Sequence, residues 1–149
     1  MRALFAFVPA AMLSILLSAP FAHADERTMV EMPAPMQEHM LGNMRDHLYA
    51  LNEILDALAQ GNTAEASAVA EQRLGLSSLD DHGAAHLAGF MPPEMQAAGT
   101  ELHKAASRFI QAAENAEMEH TFEAQQKVFG ALQGITSACN TCHTSFRIR

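Results

Sequence analysis

The chain has 149 residues, with 9 Lys or Arg against 17 Asp or Glu, so its formal net charge is −8 when the histidines are neutral. This acidic balance argues against nucleic acid and anionic membrane surfaces as partners, and favours a basic patch on another protein. The length predicts a single domain with one core.

The first 24 residues have the pattern of a secretory signal peptide. Arg2 precedes an apolar stretch over residues 3–19, Pro20 interrupts it, and a small-x-small cleavage sequence ends at Ala24. A membrane anchor is the alternative, but the stretch is marginal in length for a bilayer span. We predict cleavage after Ala24, no stable membrane insertion and a mature domain over 25–149. Without Arg2, the 9 basic residues become 8 against 17 acidic ones, a net charge of −9.

Helical periodicity dominates the mature chain, and the β-branched alternation of strands is absent. Pro33 and Pro35 predict an N-terminal arm over residues 25–35, followed by a long helix one from about Met36 to the Gly61 stop. Its predicted inward stripe, spaced by three and four, is Met40, Met44, His47, Leu48, Leu51, Ile54, Leu55 and Leu58.

Two further helices are predicted before the last one. Thr63 is expected to cap a short, alanine-rich helix two that ends near Leu74. Glycines, serines and aspartates over residues 75–91 predict a crossover connection with room for one helical turn. A proline pair that begins at Pro92 opens helix three, which is expected to end around Ala116.

Helix four follows a polar turn at residues 117–120 and is predicted to reach the C-terminus. Its predicted inward stripe is Phe122, Phe129, Leu132, Thr136, Cys139, His143 and Phe146. Cys139, Cys142 and His143 form a Cys-x-x-Cys-His motif, whose spacing lets both sulfurs and the imidazole leave one helix face within a single turn. This motif is the attachment site of c-type haem, where thiols add to the porphyrin vinyl groups and histidine ligates iron.

The competing interpretations of this pair are a local disulfide, a thioredoxin-like redox pair and half of a zinc site. Zinc would need a compact second ligand pair, and the other histidines are scattered singly along the chain. A thioredoxin-like pair belongs at a helix start, whereas this pair ends a helical pattern. We therefore predict one covalent haem c at Cys139 and Cys142, with His143 as the proximal iron ligand. In an exported chain this indicates the periplasm, because bacteria attach haem outside the cytoplasmic membrane.

A helical chain with this motif at its end resembles the class II c-type cytochromes, the cytochrome c prime family and its low-spin relatives. The resemblance covers residues 25–149, and its specific part is the ending from Cys139 to Phe146 and Arg147. Class I cytochromes c have the reverse order, with the motif near the N-terminus and the methionine ligand downstream. The resemblance implies an all-α antiparallel four-helix bundle with covalent haem between helices one and four. Many members of the family dimerise, so a homodimer is compatible with it.

The resemblance also implies that helix one supplies the residue opposite the proximal histidine, which is methionine in low-spin members and a non-ligating apolar residue in high-spin ones. Thioether is a good ligand for ferrous haem, although methionine on an apolar stripe is more often core filler. We predict Met44 as the distal ligand and Met40 as the alternative, with Met91 and Met95 less favoured because they border a loop. The expected function is a non-enzymatic periplasmic electron carrier that docks redox partner proteins.

Two other functions stay open at this point. A five-coordinate haem would bind nitric oxide or another small gas, although the chain lacks the arginine and glutamine pair that usually precedes the distal position in high-spin members. Peroxidase-like activity would need a distal base, for which His39 and His47 are the candidates.

Arg147 and Arg45 are candidates for pairing with a haem propionate, with a solvated surface cation as the alternative for each. The remaining histidines are predicted to be solvated surface residues: His82, His86, His103 and His120.

Overall fold

A computed structural model describes residues 25–149, so the predicted signal peptide over residues 1–24 lies outside the described residues. The elements are β1 (Thr28–Met29), α1 (Ala34–Ala59), α2 (Thr63–Leu74), a 3-10 turn (Leu76–Leu79), α3 (Ala84–Ala88), α4 (Pro93–Glu119), α5 (Phe122–Ser145) and β2 (Phe146–Arg147). The prediction of a mostly helical chain is confirmed. Within 25–149, no helix combines the length and hydropathy needed to cross a membrane.

The first long helix begins two residues earlier than predicted. Pro35 lies in its first turn, where backbone N–H groups have no intrahelical partner and a proline costs no hydrogen bond. The helix ends at Ala59, and Gly61 then adopts a left-handed backbone with φ 74°. The predicted stop at Gly61 is therefore confirmed, while the predicted arm is shorter than expected.

The cap of α2 is Asn62 and not Thr63. The Asn62 side chain accepts a hydrogen bond from the backbone N–H of Glu65 at 3.1 Å, which is the bond that a helix cap makes. Thr63 is buried instead, and its hydroxyl donates to the Glu117 carboxylate of α4. The prediction for Thr63 was wrong because Asn and Thr both cap helices well, and only a tertiary partner decides between two adjacent candidates.

The main core lies where α1 packs on α2, α2 on α4 and α4 on α5. Its largest fully buried hydrophobic side chains are Ile54, Leu74, Phe109, Val128 and Ile135. Alanines fill many of the remaining positions, which lets the helix axes approach closely.

The predicted inward stripe of α5 is displaced in the structure. Phe122 and Phe129 are 74% and 55% exposed, whereas Val128, Leu132 and Ile135 are buried. The spacing of three and four is correct and Leu132 is buried as predicted, but Phe122 and Phe129 were assigned to the core whereas Val128 and Ile135 were not. Close helix contacts favour the smaller side chains.

On α1 the predicted stripe is right for Ile54, which is buried, and for Leu51 and Leu58, which pack against the main core. It is wrong for Leu48 and Leu55, which are exposed. Met40 is buried and Met44 is half-buried, so the predicted stripe holds for its N-terminal part. This part of α1 faces a second cluster and not the main core.

The two ends of the described part of the chain pair with each other, which was not predicted from the sequence. β1 and β2 form a parallel pair with Thr28 opposite Phe146 and Met29 opposite Arg147. The Val30 N–H extends this pairing by donating to the Arg147 carbonyl at 2.8 Å. The prediction that helix four reaches the C-terminus is therefore wrong, because the residues after Ser145 are extended.

Candidate functional site

The methionine cluster is a second hydrophobic cluster, separate from the main core. Its buried members are Val30, Met40, Leu87 and Met95, and its half-buried methionines are Met32, Met36, Met44 and Met91. The sequence has ten methionines, of which Met1 and Met12 precede residue 25, so this cluster holds six of the remaining eight. Such enrichment makes a surface of soft, polarisable sulfur.

The Cys-x-x-Cys-His motif lies between the two clusters, in the last turns of α5. The half-buried Cys139 packs against the main core, and the half-buried Cys142 packs against the methionine cluster. His143 is exposed and was predicted to lie on the inward stripe, so that part of the prediction is wrong. The residue nevertheless lines a cavity.

Both cysteine thiols are free, and their surroundings favour the protonated form. Burial raises the pKa of Cys139 and of Cys142 above the ordinary value for a thiol. A helix C-terminus also carries a partial negative charge, which opposes a thiolate. A thioredoxin-like pair needs a thiol with a lowered pKa, so this environment argues against that interpretation.

A cavity of about 520 Å³ opens beside the motif. Its walls come from α1, the crossover, α3, α4 and the C-terminal residues, and α1 and α5 form no extensive backbone contact in the described chain. The volume lies within the roughly 300–1,000 Å³ range of cofactor and ligand pockets. Cys142 and His143 line the cavity together with Met40, Met44, Met91 and Met95. All four methionines considered as distal ligands therefore reach one space.

Three arginines are grouped at this cavity, each within 4.0 Å of a carboxylate oxygen of Asp25 or Glu38. Arg27, Arg147 and Arg149 line it, and no Asp or Glu is among the lining residues of the described chain, although the protein as a whole is acidic. Arg45 is exposed and does not line the cavity. Of the two arginines predicted as candidates for pairing with a propionate, only Arg147 therefore lies at the cavity. The lining thus suits a ligand with an apolar body and anionic groups.

Arg147 has an unused hydrogen-bond donor. Its Nε is buried and has no hydrogen-bond partner among the described residues, because the nearest carboxylate oxygen, of Asp25, is 3.6 Å away. A buried guanidinium N–H without an acceptor is costly, and an anionic ligand group would satisfy it. Arg27 is oriented by Asp25, whose carboxylate accepts from its Nη2 at 2.7 Å.

The C-terminal segment is tied to the helix that bears the methionines. The Gln37 side-chain amide on α1 donates to the Ile148 carbonyl, and the Arg27 Nη1 donates to the His143 carbonyl at 3.3 Å. The Gln37 bond holds the C-terminal residues against α1, while the Arg27 bond and the β1–β2 pairing hold them against residues 27–29. The position of His143 therefore depends on α1 and on the segment that precedes it.

Three histidines meet on the same cavity wall, which the sequence analysis missed. His47 on α1, His82 in the crossover and His103 on α4 have ring centroids 4.7 to 5.9 Å apart. His103 is buried and His82 is half-buried, so the prediction that both are solvated surface residues is wrong. His86 and His120 are exposed as predicted. His39 does not line the cavity.

The surroundings of this cluster keep His47 neutral. Burial, followed by the neighbouring His82 and His103, lowers the pKa of His47 to about 4 from an ordinary 6.5. Asp46 opposes the shift only weakly, because Arg73 of α2 holds its carboxylate through a bidentate ion pair. Burial also lowers the pKa of His82.

We expect acid to destabilise the protein through His47. Its folded pKa lies below its unfolded pKa, so the unfolded chain binds more protons between pH 6.5 and about pH 4, and stability falls as the pH falls through that window. The free energy of unfolding from urea titrations with chelator present should drop by roughly 2 kcal/mol between pH 7 and pH 5. His47→Gln should remove most of this drop, and His86→Gln should leave it unchanged. An equal drop in His47→Gln would contradict the assignment.

Comparison of the chain with known protein families, curated proteins and solved structures gave no match.

Proposed function

We propose that this protein is a periplasmic c-type cytochrome, a haem-binding electron carrier with histidine and methionine as iron ligands. The observation that carries the proposal is the cavity, which brings Cys142 and His143 of a Cys-x-x-Cys-His motif to the same space as four methionines. The proposed architecture is an antiparallel four-helix bundle of α1, α2, α4 and α5, with one haem c between α1 and α5.

The residues present fit a haem in chemistry and in size. The cavity is large enough for a cofactor, and its methionines and leucines suit an apolar ring. The Arg147 Nε, which has no hydrogen-bond acceptor among the described residues, suits a propionate. Cys139 and Cys142 would hold the group through two thioether bonds, and His143 would ligate iron from one side. A bound haem would supply an iron that cycles between the ferric and ferrous states.

Each lining group has a part in this function. The methionines exclude water from the cavity and lower its polarity, which is one means of tuning a reduction potential. Met44 would fill the sixth position, because it is half-buried on the cavity while Met40 is already packed inside the cluster. Arg147 and Arg27 would orient the anionic edge. The acidic surface would then dock a redox partner through a basic patch.

Visible spectra of the purified ferric and ferrous protein test the proposal. We expect a low-spin, six-coordinate haem in both states that carbon monoxide displaces only slowly, because an internal sulfur ligand occupies the sixth position. A high-spin, five-coordinate spectrum would contradict the electron-carrier proposal and would favour a gas-binding protein. Protein that matures without haem in a host competent for cytochrome c assembly would overturn both.

A further inference from the structure

The ring nitrogens of His47 and His82 lie at a distance close to that between two ligands of one metal ion. The Nε2 of His47 and the Nδ1 of His82 lie 3.4 Å apart, which is long for an N–H···N hydrogen bond. Two nitrogens bound to one tetrahedral zinc at 2.0–2.1 Å are about 3.3 Å apart. One ligand atom from each of His47, His82 and His103 lies within 4.8 Å of the other two. The first pair is therefore at ligand spacing, and a nitrogen of the third ring lies within 4.8 Å of both.

His103 already has the hydrogen bond that a metal-binding imidazole usually makes. Its Nδ1 lies 2.9 Å from the Leu74 carbonyl and 3.2 Å from the Gly75 carbonyl, and carbonyl oxygens only accept, so Nδ1 carries the proton. In that tautomer, Nε2 keeps its lone pair for another partner. Such outer bonds fix the tautomer and orientation of a ligand histidine.

The crossover is held so that His82 faces α1. The His82 carbonyl accepts from the Asn43 side-chain amide at 2.8 Å and from the His39 ring at 2.8 Å. Gly83 follows with a left-handed φ of 61°, and a Cβ at that position would lie 3.1 Å from the His39 ring. Two hydrogen bonds and one glycine thus hold the His82 side chain beside His47.

Electrostatics at the cluster also suit a cation. Imidazole nitrogens bind a divalent cation through their lone pairs, and the three rings together offer three such nitrogens at one place. Asp46 provides a negative charge next to His47, but Arg73 occupies its oxygens, so Asp46 supports the site without acting as a ligand.

We infer that His47, His82 and His103 bind one divalent transition-metal cation of the zinc and copper class, with an open coordination position on the cavity side. Three imidazoles are a donor set that zinc and copper accept, whereas magnesium and calcium require oxygen ligands. None of the three residues belongs to the Cys-x-x-Cys-His motif, so the inference does not rest on the proposed haem.

Zinc titration of the full mature chain as isolated, after dialysis against chelator, tests this site by calorimetry at pH 7. We expect one zinc per chain, and a loss of affinity of at least roughly 100-fold in His82→Ala and in His103→Ala. His86→Ala and His120→Ala are matched controls on exposed histidines, and their affinity should equal that of the wild type. Unchanged binding in His82→Ala, or an equal loss in the controls, would overturn the site.

X-ray absorption at the zinc edge of the wild-type protein identifies the ligand atoms directly. It needs no variant, so it tests the site even where replacement of a buried histidine prevents folding. We expect three imidazole nitrogens at about 2.0–2.1 Å. A spectrum dominated by sulfur would show that Cys139 and Cys142 bind the zinc and would overturn the inference. Substoichiometric, weak binding with mostly oxygen neighbours would do the same.

Discussion

Replacing both Cys139 and Cys142 by alanine should give a protein without covalently bound haem and with a loosened fold. The two thiols connect different parts of the molecule, since Cys139 packs on the main core and Cys142 on the methionine cluster. A group attached to both would therefore join the clusters and occupy the cavity of about 520 Å³, which Cys142 lines and Cys139 does not. Without it, the apolar area available to offset the chain entropy is small for a domain with many alanines in its core.

Acid-acetone extraction and thermal melts measure these two effects. Wild-type protein should keep its colour through extraction, and the double variant should have no colour to keep. The midpoint of its melt, followed by circular dichroism, should fall by on the order of 10–20 °C and the transition should broaden. Asn140→Ala, at an exposed position between the cysteines, is the matched control and should match the wild type. Clean extraction of haem from the wild type, or a sharp native-like melt of the double variant, would contradict this account.

The long helices could be predicted because their signals are local. Proline pairs, glycine stops and three-to-four spacing act within a few residues, and the boundaries of α1, α2 and α4 fall within three residues of those expected. It was harder to predict which face of each helix is buried. Val128 and Ile135, not the neighbouring phenylalanines, are buried, because alanine-lined contacts bring the helices close together.

The site could be predicted only where residues adjacent in sequence act together. Cys139, Cys142 and His143 form one motif, whereas His47, His82 and His103 are 35 and 21 residues apart and each looks isolated in the sequence. Their meeting depends on the crossover conformation and on the bonds to the His82 carbonyl. The pairing of β1 with β2 could not be predicted either, because strands of two residues have no periodicity to detect.

The proposed sixth ligand of the haem iron is one of two neighbouring methionines. Met40 and Met44 lie four apart on one face of α1, and both line the cavity. Met40 is 6% exposed within the methionine cluster, where it packs with Val30, Leu87 and Met95. Met44 is half-buried and keeps part of its surface on the cavity. A side chain already enclosed by apolar neighbours has less freedom to present its sulfur to iron, which favours Met44.

Met44→Ala should abolish the methionine-to-iron charge-transfer band of the ferric protein and let carbon monoxide bind the ferrous form rapidly. Met40→Ala should keep both properties of the wild type and instead lower the free energy of unfolding by about 2–3 kcal/mol, because it leaves a space in a packed cluster. The two variants thus separate a ligand from a core residue by spectrum and by stability. The reverse result would make Met40 the ligand, and an unchanged band in both variants would leave Met91 and Met95, which line the same cavity, as the remaining methionine candidates.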